Sequence, residues 1–450
     1  MADTIAAIAT APGQGGVSIV RISGDEAERV LMEVFRPAKR SIGALSSHLL
    51  TYGHAVNDDG ERLDECMAVL MRAPRSYTRE DVAELHLHGG TYTAQAVLRL
   101  CLRHGARLAQ PGEFTRRAFL NGRIDLSQAE AVMGLIAAQG ERAHASAMRQ
   151  LDGGASAIIR EAADTLYQLQ AGAAACIDYP EEVSEEEACE ELEPRLLALA
   201  EHLEQACDTR VSHLVTDGLV VVFAGCPNAG KSSLFNALLG EQRAIVTDIP
   251  GTTRDVVQGE MVLNGTVIRL YDTAGLHETD DPVERLGMQR AGRAMAEADC
   301  VLLVVDGHKA LSEDERAQLR ALRGRTAMVL VNKSDLAQAV DTEEIIRLAP
   351  QTRVLSVCAG RPESLAPLLG ALAELARVDD RIALTQPRHL DAAQRAVTHL
   401  RAAARSLREG TVDLAAIDMQ SAQSALAEIT GDQVDERLLD AVFSSFCVGK

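Results

Sequence analysis

The feature that most constrains this chain is the run Gly225-Cys226-Pro227-Asn228-Ala229-Gly230-Lys231-Ser232. It lies between an apolar stretch, LVVVFA, and an amphipathic one, SLFNALLG. The run fits G-x-x-x-x-G-K-[ST] in the order strand, loop, helix. Backbone N–H groups of such a loop wrap phosphate oxygens, and the dipole of the following helix favours their charge. Lys231 is placed to reach β- and γ-phosphates, and the Ser232 hydroxyl to ligate Mg²⁺. Asn228, Ala229, Gly230 and Ser233 belong to the same candidate cradle.

The surrounding sequence supplies the other parts of such a site. From about 217 to 380 the apolar runs GLVVVFAG, VIRLYDTAG, CVLLVVDG, AMVLVNKSD and RVLSVCAG alternate with helical stretches, which predicts a parallel α/β sheet. Asp272-Thr273-Ala274-Gly275 follows one strand, so Asp272 can hold the Mg²⁺ shell through water and Gly275 can offer its N–H to a γ-phosphate. Asn332-Lys333-Ser334-Asp335 ends another. A carboxylate there accepts from the N1 and N2 donors of guanine, which adenine lacks in that arrangement. Ser356, Val357 and Cys358 occupy the place of a last base-contacting loop, departing from the common Ser-Ala-Lys form. The segment Thr247-Asp248-Ile249-Pro250-Gly251-Thr252-Thr253 suits a switch, with Thr253 as second Mg²⁺ ligand. These motifs together predict a GTPase.

One substitution bears on mechanism. Leu276 follows the DTAG motif where many small GTPases carry a water-orienting Gln. Another group must therefore orient water, and Glu278, Asp280, Asp281 and Glu284 are the acidic candidates nearby. The side-chain oxygen of Asn228 is suited to a monovalent cation that supplies the charge of an arginine finger.

Outside residues 215–380 the pattern changes. Residues 1–118 mix short apolar runs with Gly/Pro turns and an amphipathic stretch, predicting a small α+β domain. Residues 119–214 and 381–450 are Ala-rich with helical periodicity, which predicts one discontinuous helical domain with the α/β domain inserted into it. Glu181 to Glu193 holds eight glutamates, read as a solvated face. A net charge of −20, with no Trp, argues against bulk electrostatic gripping of nucleic acid or base-stacking platforms. Nine cysteines without a C-x-x-C pair read as reduced thiols, and the N-terminus lacks the features of a signal peptide. A cytoplasmic protein with no membrane partner is expected. Only five of the 45 basic residues are Lys; two stand in the nucleotide motifs and one, Lys450, ends the chain.

The motifs and both flanks resemble the bacterial tRNA modification GTPase family MnmE (TrmE) over essentially the whole chain. The marks outside the GTPase core are DTIAAIATAPGQGGVSIVRISG, PGEFTRRAFLNGRIDLSQAEAV and the terminal FCVGK. The resemblance implies an N-terminal folate-binding and dimerisation domain, a discontinuous helical domain and an inserted Ras-like P-loop GTPase domain. It implies a homodimer whose G domains dimerise to activate K⁺-dependent hydrolysis. An FAD-dependent partner (MnmG, or GidA) joins it in a heterotetramer or larger complex that modifies C5 of the wobble uridine of certain tRNAs. An aminomethyl or carboxymethylaminomethyl group is installed, with the one-carbon unit from a tetrahydrofolate derivative (5,10-methylene or 5-formyl). By the same resemblance Asn228, Thr247, Ile249 and Thr252 hold K⁺, Glu284 assists the hydrolytic water, and Arg21, Glu84, Arg123 and Lys450 bind folate. The family often has Lys where this chain has Arg123. Cys447, in FCVGK, is a candidate nucleophile, although no adjacent base accompanies it; a packed or redox-sensitive thiol is the other reading. The rival class, an assembly-factor GTPase, predicts no folate binding.

Overall fold

The structure, a computed structural model, describes residues 3–38, 45–179, 181, 184–241, 257–272, 298–377 and 384–450. The chain forms two compact units, one of residues 1–136, 149–201 and 395–450, the other of residues 137–148 and 202–394.

The first unit is built around a seven-stranded sheet. Its strands are β1 (Ile5–Ile8), β2 (Val17–Ser23), β3 (Phe35–Pro37), β4 (Thr51–Val56), β5 (Arg62–Met71), β6 (Val82–His88) and β7 (Arg107–Leu108), in the spatial order β3-β4-β5-β6-β2-β1-β7. All pairings are antiparallel except β1 with β7. Antiparallel strands need face burial on one side only, and β2 reads accordingly: Ser18, Val20 and Ile22 are buried while Ile19 and Arg21 on the other face are half-buried. Helices α1 (Ala27–Val34) and α2 (Thr91–Arg103) cover the apolar face, with Val30, Leu31, Val97 and Leu100 packed on Val20, Ile22 and Leu85. Helix α3 (Glu113–Leu120) puts Phe114 beside Ile5 and Ala7 on the opposite face. The helices Gly154–Asp178 and Val412–Thr430 bury Ala- and Leu-rich stripes, and Glu436–Ser444 packs Phe443 and Leu439 on Leu126 and Ala129.

The second unit holds β8 (Leu219–Ala224), β9 (Val257–Leu263), β10 (Thr266–Asp272), β11 (Cys300–Asp306), β12 (Ala327–Asn332) and β13 (Arg353–Ser356), in the order β13-β12-β11-β8-β10-β9. Five strands are parallel, as the unbroken apolar runs predict; β11 and β12 are buried at every residue. The sixth strand departs from that reading. β9 runs antiparallel to β10 because Asn264-Gly265, with φ of 50° and 80°, closes a two-residue hairpin between Leu263 and Thr266. No described helix is long and apolar enough to cross a membrane.

Candidate functional site

The loop after β8 is shaped by its own backbone. Gly230 has φ +99°, and a Cβ there would lie 2.1 Å from Nδ2 of Asn332, so only glycine lets the two segments meet. That amide donates to the carbonyl of Ala229 at 2.9 Å. Asn228 also sits in the left-handed region, at φ 61°. Its carbonyl accepts from Nζ of Lys333 at 3.3 Å, and the same ammonium reaches Oδ2 of Asp306 at 2.7 Å. The first two residues of the Asn332–Asp335 motif thus brace the loop, and Asp335 remains exposed at its edge.

Lys231 is buried at the start of the helix Lys231–Glu241, and its ammonium donates to the carbonyls of Gly225 and Cys226 at 2.8 and 2.9 Å. Burial pulls its pKa below the ordinary lysine value, and the carboxylate of Asp272 works against that fall. The Ser232 hydroxyl donates to Oδ2 of Asp272 at 2.7 Å. The end of β10 and the helix start thus bring a hydroxyl and a carboxylate together, hard oxygens that suit Mg²⁺, the first as ligand and the second through its water shell. Ser233 is exposed on the first helical turn.

The last loop of the motif set is not used evenly. Ser356 ends β13 and is exposed, while Val357 is buried, donating its N–H to Val331 and accepting from the N–H of Ser334. Of the three, Cys358 alone reaches Asp335: its thiol donates to Oδ1 of that carboxylate at 3.2 Å. Thr247 to Thr253, Thr273, Ala274, Gly275 and Glu284 lie outside the described residues.

A second cluster forms in the other unit from positions hundreds of residues apart. Arg21 on β2 and Glu84 on β6 are directly opposite in register, and Nε of Arg21 donates to Oε1 of Glu84 at 2.8 Å. Oε2 of Glu84 lies 3.1 Å from Nε2 of His86. The Arg21 guanidinium stands 5.7 Å from the Phe114 ring centroid and 5.9 Å from that of Tyr77; Arg123 stacks on the same tyrosine at 4.9 Å. Tyr77 is held by a 2.9 Å hydrogen bond between its hydroxyl and that of Thr115.

The chain terminus closes this cluster. Val448 pairs with Pro111, Gly112 donates to the carbonyl of Cys447, and Phe114 donates its N–H to the carbonyl of Lys450 at 3.2 Å. Gly449 is buried with φ +96°, and a Cβ would stand 2.4 Å from the Ile8 carbonyl, so the tail fits only because this residue is glycine. Its carbonyl accepts from Arg21 at 3.3 Å. Arg21, Glu84, Arg123 and the Lys450 backbone are therefore gathered around one place, and Cys447 is exposed beside it. Sequence reasoning did not single out Tyr77 or Phe114 in this cluster, nor did it join His86 to Glu84. Phe114 stood inside the conspicuous PGEF tract, and His86 two residues from Glu84 on one strand face was the other available signal.

Two family profiles match the chain: "GTP-binding protein TrmE N-terminus" over residues 4–123, and "MnmE helical domain" over residues 126–447. Among similar proteins, one from Heliobacterium modesticaldum, named tRNA modification GTPase MnmE, is 44% identical over 466 residues, covering 100% of this chain and 99% of the relative. Proteins of the same name from Symbiobacterium thermophilum and Listeria welshimeri are 44% and 42% identical, again over 100% of this chain and 99% of each relative.

Proposed function

We propose that this chain, which belongs to the MnmE (TrmE) family of tRNA modification GTPases, hydrolyses GTP and uses that hydrolysis to drive modification of the wobble uridine of tRNA. The observation that carries the nucleotide half is the bracing of the Gly225–Ser232 loop by Asn332 and Lys333, which couples phosphate binding to base reading. Lys231 and the helix N-terminus neutralise charge on the phosphates as water attacks the γ-phosphorus and the bond to the bridging oxygen breaks. Ser232 and Thr253 would hold Mg²⁺, with Asp272 behind them. Glu284 would orient the water.

Our reading of the chain order is a folate-binding and dimerisation domain at 1–118, a helical domain at 119–214 and 381–450, and a G domain at 215–380. The Arg21–Glu84 pair supports a folate site: a carboxylate accepts from the N–H donors of a pterin, and Arg123 with Lys450 suits the carboxylates of the glutamyl end. Such a site would take 5,10-methylene- or 5-formyl-tetrahydrofolate. The product would be an aminomethyl or carboxymethylaminomethyl group at C5, made in the cytoplasm by a homodimer working with FAD-dependent MnmG.

Two measurements test the nucleotide half. Turnover should be faster in K⁺ than in Na⁺, because Asn228, with Thr247, Ile249 and Thr252, would hold the cation that replaces an arginine finger. Asn228→Ala should lower the rate and erase the K⁺ preference while GDP binding persists; equal wild-type turnover in both salts contradicts this. Asp335→Asn should shift preference from guanine towards xanthine nucleotides, since the new amide donates where xanthine's carbonyl accepts. Unchanged GTP selectivity in that variant would show that Asp335 does not read the base.

A further inference from the structure

We propose that Arg75 and Arg79 bind the γ-linked glutamate tail of a polyglutamyl folate, continuing outward from Arg123. The inference rests on the reading of Arg21, Glu84, Arg123 and Lys450 as a folate site. It specifies the form of the ligand: a tetrahydrofolate carrying several glutamates rather than one.

The three arginines come from two short segments that are fastened to each other. Nη1 of Arg79 donates to the Asn121 carbonyl at 2.9 Å, and Nδ2 of Asn121 donates to the Thr78 carbonyl at 2.7 Å. Nη1 of Arg123 donates to the Ser76 carbonyl at 3.2 Å. Thr78 is buried, and its hydroxyl lies 2.7 Å from that of Ser23 on β2, so the loop is fixed to the sheet. Arg75, Arg79 and Arg123 are exposed, and among the described residues none of them is ion-paired. The acids nearby are engaged elsewhere: Glu80 with Arg117 and the Ser23 hydroxyl, Asp81 with the Ala73 N–H, and Asp125 with Arg160. Arg79 keeps its place at φ 59°, where glycine would adopt the backbone at less cost.

The order of groups gives the direction of the ligand. Arg21 and Glu84 are shielded, with side chains 19% and 13% exposed, and suit the pterin. Tyr77 links them to Arg123, its ring centroid 5.9 Å from the Arg21 guanidinium and 4.9 Å from that of Arg123. A ligand whose first glutamate meets Arg123 therefore leaves the pocket over the loop 75–79. Each further γ-linked glutamate adds one carboxylate, which a guanidinium fork can take bidentately. A nucleic acid fits less well: it presents a long row of phosphates, whereas this short patch stands on a chain of net charge −20.

The experiment is titration of the full chain and its R75A/R79A variant with 5-formyl-tetrahydrofolate carrying one or five glutamates. The wild type should bind the pentaglutamate about fivefold more tightly, the order expected for two exposed ion pairs, and added salt should shrink that preference. R75A/R79A should bind both forms equally and keep the wild-type affinity for the monoglutamate. R75K/R79K, which restores the charges, should recover most of the preference. The ratio of affinities does not depend on the fraction of folded protein, so a destabilised variant still answers the question. A wild-type ratio of one, or an undiminished ratio in R75A/R79A, overturns the proposal. If that variant keeps the ratio but loses affinity for tRNA, the patch is an RNA contact and the proposal falls. A wild type that binds neither folate overturns instead the folate-site reading beneath it.

Discussion

Deleting Cys447–Lys450 is expected to abolish wobble-uridine modification while leaving GTP hydrolysis near the wild-type rate. The four residues hold a fixed place: they bridge to Pro111, accept from Gly112 and Phe114, and set the Gly449 carbonyl on Arg21. Losing them frees the Arg21 guanidinium on one side, opens the Tyr77–Phe114 cluster to water and removes the Lys450 ammonium. The direct cost to folding is small, because each lost backbone hydrogen bond contributes about 1 kcal/mol and its partner can turn to water. Folate affinity should fall in the same variant, whereas none of the deleted residues belongs to the compact unit that carries Gly225–Ser232 and Asn332–Asp335. Mass analysis of wobble nucleosides beside a GTP turnover assay checks both halves. Full modification by the truncated chain would reduce the tail to packing.

Lys231→Ala should have the largest effect on hydrolysis, lowering turnover by about 100-fold or more, as expected when a charge stabilising a phosphoryl-transfer transition state is removed. In the structure the ammonium is committed to the carbonyls of Gly225 and Cys226, so it also rigidifies the loop it serves. A phosphate drawing it off those carbonyls would gain a desolvated positive charge in a buried position. Truncating it removes both the charge and the brace. The variant should fold, since the core beneath the loop is formed by Leu234, Phe235, Val221 and Phe223, none of which depends on the ammonium. Single-turnover hydrolysis with thermal melting as a control checks this; turnover within a few-fold of wild type would mean that the loop is not the phosphate site.

The meeting of the Gly225–Ser232 loop with Asp272 and with Asn332 and Lys333 was legible in local sequence pattern. A strand, a glycine loop and a helix start are adjacent in the chain, and so are each strand and the polar motif at its end. The antiparallel β9 was less visible because the apolar runs alone do not state direction; the Asn264-Gly265 pair does, through the backbone conformation it permits. Taken by itself, Arg21 reads as an ordinary alternating surface residue of a strand. It is mostly shielded because residue 449 closes over it and residue 84 lies opposite it, contacts that no window of neighbouring residues contains. Cys358 shows the same limit on a smaller scale. Ser356, Val357 and Cys358 look like one motif in sequence, but the turn after β13 buries Val357, leaves Ser356 exposed and sends only the third side chain to Asp335.

The central claim is that GTP hydrolysis here serves a modification of tRNA built on a folate-derived carbon. The most direct measurement is mass spectrometry of wobble uridines from cells lacking this protein, complemented in turn by the wild-type chain, Lys231→Ala and the chain ending at Phe446. Loss of the aminomethyl-type C5 groups in the deletion, their return with wild type and their absence with both variants is the predicted result. Wobble uridines carrying the same C5 groups with and without the protein would contradict it.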